Sequence, residues 1–88
     1  MSKFDKNSIQ NTVRKILSFY IMEDLYNVDA TISLVDSGYE IDSIVMIGIL
    51  VALEDIFDIE FTDEELVSNE IFSVDSLTEA VCKHIGVE

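Results

Sequence analysis

"EIDSIVMIGILVALEDIFDIEF", residues 40–61, decides how this chain folds. Its centre, from about residue 43 to 57, is apolar around most of a helical circumference. Asp42 or Ser43 can cap its start, because their side-chain oxygens accept the free amide hydrogens of a first turn. The β-branched residues among 44–51 would also suit a strand, but the length of the run and its acidic end, Glu54 and Asp55, favour a helix. A helix this uniformly apolar is either buried or offers part of its outer face to a partner.

The flanks supply the rest of the fold. Upstream, Ile9, Val13, Ile16, Leu17 and Tyr20 fall on one stripe of a helix from about residue 8 to 22, with Asn7 and Gln10 placed as a capping box. Residues 27–41, "NVDATISLVDSGYEI", lack a helical stripe and hold Asn, Asp, Ser and Gly where turns favour them. Their apolar members, Ile32, Leu34, Val35 and Ile41, are expected to tuck under the helices. A loop of this length in so small a domain is more often functional than idle. Downstream, Thr62 and Glu65 form a Thr-x-x-Glu box that opens a short helix near 63–68. Ser73 caps a last helix over 74–85, with Leu77, Val81 and Ile85 at steps of four, and Gly86 ends it. The expected architecture is all-α: a small four-helix bundle of three longer helices and one short one, in a single domain spanning residues 1–88.

The chain has 88 residues, of which 49% are hydrophobic, enough for one core and too much for a disordered chain. Eighteen acids against five Lys and Arg give a net charge of −13, which repels nucleic-acid phosphates and anionic membranes and favours basic partners. Such self-repulsion should make folding sensitive to salt. The longest apolar stretch, Ile44 to Leu53, falls well short of the roughly 20 residues that span a bilayer. One cysteine, Cys82, builds no disulfide framework and reads as a small core residue; with no secretory leader, the expectation is a monomer in a reducing cytoplasm.

Three Asp-Ser pairs compete as sites: Asp36-Ser37, Asp42-Ser43 and Asp75-Ser76. Ser37, before Gly38, is ordinary turn chemistry. Ser76 belongs to the first turn of the last helix, where acids and serines suit the positive end of the dipole. Ser43 stands where the long loop meets the most apolar helix, beside free amides prepared for an anion, although from spacing alone a simple capping role is the better explanation. A catalytic triad has no support. The single histidine, His84, falls in the last turn of the final helix, and no G-x-S-x-G elbow exists. The acids at 58–65 lack the glycine that an EF-hand needs, and zinc has too few ligands. No metal is expected. From charge alone, the chain could also be a non-catalytic acidic protein that occupies a basic partner.

Residues 42–66, "DSIVMIGILVALEDIFDIEFTDEEL", resemble the attachment region of acyl carrier proteins. In that family Asp-Ser-Leu opens the second helix, an Ala-Leu-Glu-Glu-x-Phe-type segment closes it, and an acidic short helix follows. A weaker likeness extends to the first helix and to "FSVDSLTEAVCKHI". The resemblance implies that Ser43, preceded by Asp42, receives 4′-phosphopantetheine from coenzyme A through a separate phosphopantetheinyl transferase. Acyl groups would then ride as thioesters on that arm for fatty acid, polyketide or related biosynthesis, passed among loading and synthase enzymes, with no catalysis by the carrier itself. "DSGYEIDS" is closer to aminoacyl carriers of the D-alanyl type, so an aminoacyl or peptidyl cargo is the alternative. Ile44 stands in the place of the usual Leu. The family's early acidic positions are Val45, Met46 and Gly48 here, so docking is expected to be more apolar. It would use Ile44, Val45, Met46 and Val51, with steering from Glu54 and Asp55.

Overall fold

The computed structural model describes residues 5–62, 64–65 and 72–87. Among them are three α-helices, α1 (Lys6–Ile21), α2 (Ser43–Phe57) and α3 (Val74–Ile85), one 3-10 turn (Val35–Ser37), and no strand.

α1 forms on the expected stripe, with Ile9, Val13, Ile16 and Leu17 buried. Its start differs from the expected one. The cap is Asp5, whose carboxylate accepts the Ser8 amide at 2.7 Å while the Ser8 hydroxyl accepts the Asp5 amide at 3.2 Å. Asn7 therefore lies inside the helix, displaced as a cap by a charged acceptor two residues earlier. Met22 closes α1 in the left-handed conformation (φ 64°) and donates its N–H to Ser18 O at 2.9 Å.

α2 has the expected bounds. It buries Ile49, Leu50, Leu53 and Phe57 and ends at Asp58, also left-handed (φ 54°). α3 is capped by Ser73, closed by Gly86 (φ 79°), and buries Leu77, Val81 and Cys82, as expected. Thr78 is fully buried in the same helix, and its hydroxyl is satisfied by donating to Val74 O at 2.7 Å. α1 packs on both α3 and α2, which touch each other less. The buried side chains form one cluster, each large aliphatic member contributing about 2 kcal/mol through burial.

The fourth helix of the expected bundle is not established. The Thr62 box is present: Thr62 Oγ1 accepts from Glu65 N at 3.2 Å, and Glu65 Oε1 accepts from Thr62 N at 2.8 Å. Residues 64–65 are helical, and the rest of the helix expected near 63–68 lies outside the described residues.

The connector between α1 and α2 is held by named bonds. Arg14 reaches from α1 to donate through Nη1 to both Leu25 O and Val28 O at 2.7 Å. Leu25 N donates to Ser18 Oγ at 3.0 Å, and the Leu25 side chain is buried. Farther along, Leu34 N donates to Phe72 O at 2.9 Å and Asp75 N to Ala30 O at 2.8 Å, fastening the connector to the start of α3. Leu34 is buried, and Ile32 and Ile41 pack against the core. Val35, expected to join them, is exposed: the 3-10 turn that begins there takes Leu34 inward and Val35 out. Among the described residues no helix is long and apolar enough to cross a membrane.

Candidate functional site

Each of the three Asp-Ser serines has a distinct environment. Ser37 Oγ donates to Ser33 O at 2.6 Å, closing the 3-10 turn. Ser76 Oγ accepts the Ser73 amide at 3.1 Å and donates to Ser73 O at 3.2 Å, so it completes the box that starts α3. Ser43 is exposed, and its hydroxyl has no hydrogen-bond partner among the described residues. The cap of α2 is Asp42. Its backbone is extended (φ −99°, ψ 177°), its Oδ1 accepts Val45 N at 2.9 Å, and its carbonyl accepts Met46 N at 3.0 Å. Ser43 is thus relieved of capping and becomes the first helical residue. The amides of Ser43 and Ile44 belong to the first turn, where a helix has no carbonyl of its own to offer them.

The approach to α2 runs beside the end of α1. Met22 and Glu23, just past that helix, line one hollow with Tyr39 and Glu40, which lead into α2. Gly38, left-handed at φ 87°, makes the turn that brings this approach round. Tyr39 and Ile41 are half-buried against the core, so the two residues flanking Glu40 anchor the run into Asp42.

The six docking residues separate into different environments. Ile44 and Val51 are well exposed. Val45 and Met46 are half-buried and pack against the core, so they offer little surface. Asp55 is exposed. Glu54 is half-buried and its Oε2 accepts Phe61 N at 2.8 Å, holding the chain as it leaves α2. Sequence reasoning missed Ile47, exposed between Ile44 and Val51, and the exposed Phe19 on α1; Tyr20, placed on the same stripe as the buried residues of α1, is exposed, with its ring against Gly48. The available signal was the uniform apolarity of α2, which requires an outer apolar face as well as an inner one.

Away from Ser43, His84 Nε2 lies 2.9 and 3.0 Å from the two carboxylate oxygens of Glu65, and its ring meets Phe61 edge-on at 5.4 Å. Burial pushes the Glu65 carboxyl up, but the Thr62 amide, the His84 ring and the Thr62 hydroxyl together outweigh it and hold it below the usual carboxylate value. Burial pushes the Cys82 thiol up, as suits an inert core residue. Among the described residues no group of three His, Cys, Asp or Glu is placed to hold a metal ion.

Comparison of the chain with protein-family models, with curated proteins and with solved structures gives no match. The residues themselves therefore carry the functional reading.

Proposed function

We propose that this chain is a carrier that holds acyl or aminoacyl groups on a 4′-phosphopantetheine arm attached to Ser43. One observation supports this most: of the three serines preceded by Asp, only Ser43 presents an exposed hydroxyl with no hydrogen-bond partner among the described residues, at the start of a helix. The resemblance of residues 42–66 to carrier attachment regions singles out the same atom.

The residues present fit such an arm. Ser43 Oγ would lose its proton to the transferase and bond the phosphorus that carries the pantetheine of coenzyme A, whose pyrophosphate bond breaks to release 3′,5′-ADP. The first-turn amides and the positive end of the α2 dipole favour an anion there. Asp42 keeps its carboxylate on Val45 N, which fixes the direction in which α2 starts. When attached, the arm supplies a terminal thiol for thioester chemistry. The one histidine, His84, is engaged with Glu65 and is not offered to Ser43 as a base. Catalysis belongs to the partners, a phosphopantetheinyl transferase and the enzymes that load and use the cargo.

The test is intact-mass spectrometry after incubation with coenzyme A and a broad-specificity phosphopantetheinyl transferase. A single mass increase is expected for the wild type, Ser37→Ala and Ser76→Ala, and none for Ser43→Ala. An unmodified wild type with normal helical circular dichroism rules the carrier out and favours an acidic interaction protein.

A further inference from the structure

Of the three helix pairs, α2 and α3 have the least direct contact among the described residues. A bridge of side chains joins them instead. From α2, Glu54 Oε2 accepts Phe61 N at 2.8 Å, and the Phe61 side chain is buried in the core. His84, in the last turn of α3, sets its ring edge-on to that of Phe61 at 5.4 Å and brings Nε2 to 2.9 and 3.0 Å from the two carboxylate oxygens of Glu65. Glu65 Oε1 also accepts Thr62 N at 2.8 Å, so one carboxylate serves both the Thr62 box and the far helix. The side chains of the pair are 23% and 31% exposed, so water and salt screen them less than a pair on open surface.

Each element around His84 brings charge. From α1, Lys6 lines a hollow with Glu65, Glu79 and Lys83, and it pairs with Glu79 at 3.6 Å. Lys83 is the neighbour of His84 on α3 itself. On the side of α2, the Glu54 carboxylate is taken by Phe61 N, Asp58 closes the helix, and Glu60 and Glu64 are exposed on the stretch beyond it. Among the described residues His84 is thus the cation that holds Glu65. We propose that His84 and Glu65 form a pH-sensitive latch between the end of α3 and the stretch that follows α2. An imidazolium holds the carboxylate by a charge-assisted bond, and a neutral imidazole holds it about half as strongly. Histidine changes charge between about pH 5 and pH 8, and Glu65, held below the usual carboxylate value, stays ionised across that range. Rising pH therefore slackens the latch and frees Phe61 and Thr62. The latch stands whether or not Ser43 carries an arm.

The test is amide hydrogen exchange of the full 15N-labelled chain at about pH 6 and about pH 8, with each rate divided by that of an unstructured peptide at the same pH. Protection at Phe61 and Thr62 should fall about threefold between the two. His84→Gln keeps a neutral Nε2–H donor that does not titrate, so it should lose this dependence, and Glu65→Gln should lose it as well. Glu79→Gln, which removes a carboxylate from the same hollow but not from the pair, should keep it. Added salt should lower the protection of the wild type more at the lower pH than at the higher one, a readout that needs no variant to fold. Equal wild-type protection at both pH values would overturn the proposal. So would a threefold fall retained by His84→Gln, or a fall abolished by Glu79→Gln.

Discussion

Replacing Gly48 by alanine sets two effects of known size against each other. A glycine inside a helix is about 1 kcal/mol less favourable than alanine, and residue 48 lies in the second turn of α2. Against that gain, the new Cβ would stand 3.1 Å from Tyr20 Cε1 and 3.4 Å from Cδ1, a few tenths of an ångström inside ordinary contact. Overpacking a closed core costs about 1–3 kcal/mol, but the Tyr20 ring is not enclosed. It is 38% exposed and belongs to the penultimate residue of α1, so it can tilt outward at a cost of about 0.5 kcal/mol. The propensity gain wins, and Gly48→Ala should be more stable than wild type by about 0.5 kcal/mol. In urea, with a slope of about 1 kcal/mol per molar for a chain of this size, the midpoint should rise by about half a molar. In a Tyr20→Ala background the gain should grow to about 1 kcal/mol, a coupling that a double-mutant cycle resolves. A loss of more than about 1 kcal/mol in the single variant would refute the reasoning, because it would mean that the ring is wedged and cannot yield.

Three further outcomes can be checked on the same material. Arg14→Met removes two charge-assisted bonds to the connector and should lower stability by about 2 kcal/mol, with amide exchange at residues 25–29 quickening more than in α2; uniform quickening would go against a local clamp. Glu54→Ala gives up the bond to Phe61 N and should cost about 1 kcal/mol by urea unfolding, whereas Asp55→Ala should stay within about 0.5, and equal losses would contradict the separation of their roles. Glu65 has a folded-state pKa depressed below the ordinary 4.5, so its contribution is fully present above that unfolded value and fades as pH falls through the lower folded one. The stability gap between wild type and Glu65→Gln should therefore shrink as pH falls below about 4.5, and a constant gap would sink the assignment.

What could be read from the residues follows physical lines. α2 was legible because the length of its apolar run, the Asp at its head and the acids at its end favour a helix over a strand, and α3 because Ser73, Gly86 and a step of four agree. The start of α1 was misread because an Asp5–Ser8 box does not carry the usual Ser/Thr-x-x-Glu pattern. Arg14 gave no warning of its role, since its acceptors are main-chain carbonyls eleven and fourteen residues away, which have no signature in side chains. In a helix apolar on every side, periodicity loses its contrast, so Val45 and Met46 could not be told from Ile44 and Ile47. The same uniformity hid the aromatic neighbours that α1 contributes. Its place at a helix start makes Ser43 a candidate and the resemblance of residues 42–66 selects it, but that it is spared the capping role depends on the geometry of Asp42.

The bonds from Ala30 and Leu34 to the start of α3 order events during synthesis. A chain emerging from the ribosome cannot finish the connector until Phe72 and Asp75 have appeared, because the carbonyl and the amide that secure it are theirs. Until then the connector that leads from α1 to α2 lacks its far anchorage, and its closure is a late event of translation.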